Sequence, residues 1–207
     1  MDFFRRKPKV DGLVRYLGLS EWWVTTFDEG EQQYIDDISS RSPTGGGSVT
    51  SGTITYTSTR PGLFLTGLAS NFYRQSDWHI AVKMLSKAEE LIKKDDNVLD
   101  LHFLHAQRVK TFYRWRESVE GALDEAIMAC ERQIALGPRA AGAWRSEYPG
   151  EDLPAHTGYE QLRVILEKQG RYKDAIELCQ EAMREGWAGR WENDMARIEK
   201  RRARTAR

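Results

Sequence analysis

Apolar residues recur at spacings of three and four from Pro61 to Lys94, with a break near Gln75 to Asp77, and this rhythm predicts a helical hairpin. Asp95 to Asn97 punctuate, and the same rhythm then predicts a helix from Val98 to about Glu117. Gly121 separates it from a fourth helix, Ala122 to Leu136, which Gly137-Pro138 is expected to end. The stretch "RAAGAWRSEYPGEDLPAHTG" reads as a polar, glycine-bearing connection. "GYEQLRVILEKQGRYKDAIELCQEAM", Gly158 to Met183, gives two short amphipathic helices broken at Gly170. Gly186 or Gly189 stops the second, and "RWENDMARIEKRRARTAR" predicts a final helix fraying into a basic tail.

The first part of the chain has a different texture. From Leu13 to Ser39 two short helices are expected, one with Ser20 as N-cap and one beginning at Asp28 that turns Tyr34, Ile35 and Ile38 inward. Residues 40–60 change abruptly to Gly, Ser and Thr, which lack the bulk to hold a core, so a mobile linker is expected there, with a brief strand at "TITYT". The domain reading is therefore a helical cap plus linker over residues 1–58, followed by a helical domain over 59–207 with a C-terminal solvating helix.

Composition narrows the function classes. A chain of 207 residues with 40% apolar content can bury a sizeable core without staples. Thirty-one basic and 31 acidic residues cancel, so a nucleic-acid or anionic-membrane partner would need a local patch. The two cysteines, Cys130 and Cys179, lie in apolar helical stripes and point to a reducing compartment. The opening "MDFFRRKPKV" lacks the apolar core of a signal peptide, and no run approaches the ~18 to 20 apolar residues that span a bilayer. A cytoplasmic location is the expectation.

Three segments align with one another. Ala81 and Ala88 are seven apart, as are Ala175 and Ala182, and an aromatic stands three residues before the first alanine of each pair, Trp78 and Tyr172. Phe72 and Leu166 lie nine before, and Leu68 and Leu162 thirteen before. The middle copy, "ALDEAIMACERQIALGP", carries Ala126 and a closing Pro138. Cys130 and Cys179 both fall four residues after their alanine, a core address.

The pattern resembles the tetratricopeptide repeat over roughly residues 61–190, as found in small bacterial proteins of that class. It departs from the family in three respects. Arg163 stands where a small residue is wanted, Gln133 replaces the middle copy's second alanine, and the copies are spaced 45 and 49 residues apart against about 34 in the family. The resemblance implies an all-α architecture of about three helical hairpins, packed side by side with extended connections. It also implies a concave face, built by the first helix of each pair, that holds a peptide or partner protein.

Signals for chemistry are sparse. His102 and His105 are three apart without the surrounding ligands of a zinc set, so no metal and no cofactor are expected. "SPTGGGSVTSG" lacks the Lys-Ser/Thr pair of a phosphate loop. Pairs such as Glu89-Glu90 and Asp95-Asp96 read as solvated charge, and no acid-base constellation emerges. The expectation is a non-catalytic scaffold; the alternative is a nucleic-acid-associated protein using Arg5, Arg6, Lys7 and Lys9 at one end and Lys200, Arg201, Arg202, Arg204 and Arg207 at the other.

Two arginines break the apolar pattern. Arg108 falls within the arc of Leu101, Leu104, Phe112 and Trp115, and Arg163 among Tyr159, Leu162 and Leu166. A guanidinium there needs an acceptor, either an acid on an adjacent helix, Glu125 or Glu160 for instance, or a partner's carboxylate. On the second reading Arg108, His105, Arg116, Arg163, Tyr73 and Arg74 line the binding face and receive an acidic segment or chain end.

Overall fold

The computed structural model of the chain describes residues 10–41, 48–95 and 97–205. Within them the architecture is all-α: helices and one 3₁₀ turn make up the regular structure, and no strand forms beyond a single bridge between Ala155 and Ala188. Among the described residues no helix is long and apolar enough to cross a membrane. The chain divides into two compact units, Met1–Lys94 and Asp95–Arg207.

The first unit holds α1 (Gly12–Tyr16), α2 (Ser20–Thr26), α3 (Glu29–Ser40), α4 (Pro61–Ala69) and α5 (Trp78–Asp95). Asp28 starts α3 as the sequence predicts. Its carboxylate accepts the Glu31 N–H at 2.8 Å, and the Glu31 carboxylate accepts the Asp28 N–H at 3.1 Å. Ser20 is not a cap: it is already helical, and the buried Leu19 occupies the capping place without a side-chain bond. Trp23 is fully buried and meets Phe27 edge-on at 5.2 Å. Lys83 of α5 lies 5.3 Å above the Phe27 ring and donates to the Thr26 carbonyl at 3.1 Å, so α5 is tied to the end of α2.

Part of the predicted mobile linker is docked. One oxygen of Asp36 accepts from the Ser48 hydroxyl at 2.6 Å and from the Val49 and Thr50 amides at 2.9 and 3.2 Å, while Val14 N–H reaches the Val49 carbonyl at 3.0 Å. Hydrogen bonding to one carboxylate supplies what the small side chains cannot supply by burial. Residues 42–47 lie outside the described residues. "TITYT" is not a strand; it runs without regular structure, with Tyr56 79% exposed, because no neighbouring segment offers a ladder.

The second unit contains α6 (Val98–Arg114), α7 (Ala122–Ala135), α8 (Gly137–Glu147), α9 (Thr157–Lys168), α10 (Tyr172–Glu185) and α11 (Trp191–Thr205). α6 and α7 form an antiparallel hairpin: Arg108 pairs with Glu125 near its closed end, and His102 meets Gln133 near its open end. Gly170, at φ 74°, turns α9 into α10. α9 packs on both α6 and α7, and α10 packs on α9, α8 and α11. Ala175, Ala182, Cys130 and Cys179 are fully buried in one core, and Ala126 is fully buried on α7.

α8 is the element that sequence reading misses. Gly137-Pro138 does not simply close α7; the proline stands in the first turn of α8, where its missing N–H costs nothing. Ala140 and Ala141 bury beneath the helix, and Arg145 donates to the Glu185 carbonyl at 3.0 Å. α8 lies in the chain between the second and third segments that align in the sequence.

Candidate functional site

Gln133 and Arg163, the two residues that break the repeat pattern, each make an inter-helix tie. The Gln133 amide nitrogen lies 3.1 Å from His102 Nε2 and donates to the His102 carbonyl at 3.2 Å, while Oε1 accepts the Gly158 N–H at 2.7 Å. A buried amide thus joins α6, α7 and the first turn of α9. Gly158 allows a close approach at this crossing, since a Cβ there would stand 3.0 Å from both the Cys130 carbonyl and Gln133 Oε1.

Around this tie an aromatic knot closes. Gly186, at φ 90°, ends α10 in the left-handed region and lets the Trp187 N–H return to the Ala182 carbonyl at 3.1 Å. Trp187 then stacks on His102 with centroids 5.3 Å apart and meets His156 edge-on at 4.7 Å. His156 Nδ1 caps α9 by accepting the Tyr159 N–H at 3.3 Å, which places the ring proton on Nε2. Burial lowers the His102 pKa from 6.5 to about 4. Burial, with the neighbouring His102 as a second cause, lowers that of His156 to about 3. Both rings are neutral, structural parts of the core.

Arg163 packs against α11. Its guanidinium meets Glu167 at 2.5 Å and Asp194 at 3.6 Å, and Arg197 and Arg201 of α11 reach the same Glu167 at 2.6 and 3.4 Å. Neither of the acids named from the sequence, Glu125 or Glu160, is its partner: Glu167 is one turn on and 6% exposed, inside the α9–α11 seam. Burial pushes the Glu167 carboxyl up, but hydrogen bonds from Arg197 and Arg163 outweigh it and hold the pKa below its ordinary value. Arg108 is likewise committed within the protein, to Glu125 at 3.3 Å with its guanidinium 5.1 Å over Phe112. His105 is 3% exposed on the same helix.

Arg116 has a different setting. It follows the end of α6, 4.2 Å over the Tyr113 ring, and donates to the Tyr113 carbonyl at 2.8 Å and to Glu117 at 2.7 Å. Lys168, the last residue of α9, donates to the Tyr113 hydroxyl at 3.0 Å and lies 5.6 Å from the same ring. Two helices from different hairpins therefore end side by side, with two cations on one tyrosine. Tyr113 and Lys168 carry no motif signal; only the parallel alignment of α6 and α9 reveals them. Tyr73 and Arg74 belong to the other compact unit, where Tyr73 is 59% exposed and the Arg74 N–H is fixed by Asp77 at 3.1 Å.

Of the basic termini, Arg201 is engaged with Glu167, Lys200, Arg202 and Arg204 are exposed, and Arg5, Arg6, Lys7, Lys9 and Arg207 lie outside the described residues. Burial raises the thiol pKa of Cys130 to about 12 and that of Cys179 to about 11, which removes their nucleophilicity near neutral pH. Among the described residues no three His, Cys, Asp or Glu side chains gather as metal ligands. No protein-family model, curated protein or solved structure matches the chain.

Proposed function

We propose that the second unit is a tetratricopeptide-like scaffold that binds a partner protein without catalysis, using the face formed by α6 and α9. The order of packing supports this reading. The first helix of the second pair rests on both helices of the pair before it, and α11 closes the row as a solvating helix. The small residues of the aligned segments are buried, and α8 falls within the longer spacing between the second and third.

The observation that carries the binding reading is the ledge of Arg116, Tyr113 and Lys168. Lys168 and Arg116 flank an amphipathic ring where two hairpins meet, and Arg116 can exchange its exposed Glu117 partner for a carboxylate from an acidic segment or a chain end. Arg108 and Arg163 act in this account as internal ties that hold the face in shape. Immobilised protein should retain a partner protein from native cell extract, and the Arg116→Ala/Lys168→Ala variant should lose it while melting unchanged. Equal retention by the variant would remove the ledge from the account, and retention of nucleic acid that washes off steeply with salt would favour the basic termini instead.

A further inference from the structure

A groove opens between α7 and α10. Ile127 of α7, Leu166 of α9 and Leu178 of α10 line a groove of about 340 Å³. Leu166 belongs to the hydrophobic core, while Ile127 and Leu178 are only partly covered by it. The rim is acidic: Glu131 stands on the α7 side and Glu177 and Glu181 on the α10 side. Asp174 and Arg171, the one cation among the described lining residues, neutralise each other through a direct ion pair.

We propose that this groove docks a basic amphipathic helical segment of a partner protein. The floor accepts a large aliphatic or aromatic side chain, and burying it supplies the non-directional part of the affinity. Glu177 and Glu181 lie one helical turn apart, a repeat of about 5.4 Å that lysines or arginines four residues apart on the incoming helix can match. Glu131 opposes them across the cleft, so the incoming segment meets negative charge on both sides. A phosphate-bearing ligand would be repelled, and the carboxylates do not converge as metal ligands among the described residues. The proposal does not rest on the ledge of Arg116 and Lys168, which lies on the α6–α9 face.

A short fluorescein-labelled peptide of leucines and lysines, spaced so that a helix would carry each type on one face, tests it by fluorescence anisotropy against the full chain. Tight binding that weakens with added salt is expected, with a loss of about tenfold in Glu131→Gln/Glu177→Gln, both exposed, at unchanged melting temperature. A Leu178→Ser variant should weaken binding through the floor alone, with little effect of salt on the difference. Binding of acidic peptides at the ledge should be the same in the glutamine variant as in the wild type. Equal affinity for a peptide of the same composition with all lysines at one end would overturn the proposal. So would wild-type affinity in the glutamine variant, or a dimer that this variant dissolves, since the groove would then receive a second copy's arginine-rich α11.

Discussion

Gln133 Oε1 accepts the backbone N–H of Gly158 at 2.7 Å, fully inside the core, while the same amide's nitrogen holds His102 on a third helix. Replacing Gln133 with alanine would restore the small residue that the repeat pattern asks for. It would also leave a buried N–H and a histidine nitrogen without partners. The expected loss is about 1 to 3 kcal/mol in urea unfolding. Unchanged or raised stability would mean that the amide is incidental to the packing.

The histidine knot makes stability depend on pH from 6.5 downward, so its effect begins above the range where carboxylates titrate. Both rings have folded pKa values below 6.5, so the unfolded chain binds more protons as pH falls. Stability is fully present above 6.5 and is lost as pH drops toward about 4 for His102 and about 3 for His156. Between pH 6.5 and 5 the slope should approach about 1.4 kcal/mol per pH unit for each ring. His156→Asn keeps a capping acceptor for Tyr159 and removes one titration, so its urea midpoint should fall less steeply over that window. An identical slope in the variant would clear His156 of the effect.

Glu167 gathers Arg163, Arg197 and Arg201 at the seam between α9 and α11. Removing the carboxylate by Glu167→Ala leaves Arg163, 12% exposed, with Asp194 alone at 3.6 Å, and should cost about 3 kcal/mol. Hydrogen exchange should accelerate first in Trp191–Thr205, the helix that this acid anchors. Because its folded pKa is lowered, its contribution is present above 4.5 and fades as pH falls through the folded value. Uniform acceleration across the unit would show that the cluster does not act on α11 in particular.

Ala81, Ala88, Ala126, Ala175 and Ala182 are fully buried, and a leucine at any of them should overpack its site at a cost of about 1 to 3 kcal/mol. Ala135, exposed near the end of α7, is the control and should tolerate leucine. Little change at all five buried positions would undo the alignment of the three copies.

The helices of the second unit were legible because small and large apolar residues alternate with a helical period that only packing against neighbours explains. The buried alanines and both cysteines are placed on that basis, and Glu125 is one of the two acids it offers to the arginines that break the pattern. α8 is not legible, since Arg, Gly, Ser and Glu interrupt a short apolar set in which only Ala140 and Ala141 are buried and Ala143 and Trp144 are partly so. Neither was the docked part of the linker, where Asp36 gathers amides from a segment twelve to fourteen residues away, a tie with no periodic signature. The ledge was half legible. Arg116 was named from the sequence, but Tyr113 and Lys168 join it through the parallel run of α6 and α9, which no local pattern encodes.

The central claim is that α6 and α9 present a carboxylate-binding face. The most direct measurement is titration of a fluorescein-labelled acidic peptide with a free carboxyl end into the wild type and into Arg116→Ala/Lys168→Ala, at low and at physiological salt. Saturable binding to the wild type that weakens with salt is predicted, together with a loss of about tenfold or more in the variant and no change in its unfolding midpoint. Equal binding to both proteins, or none to the wild type at low salt, would contradict the account.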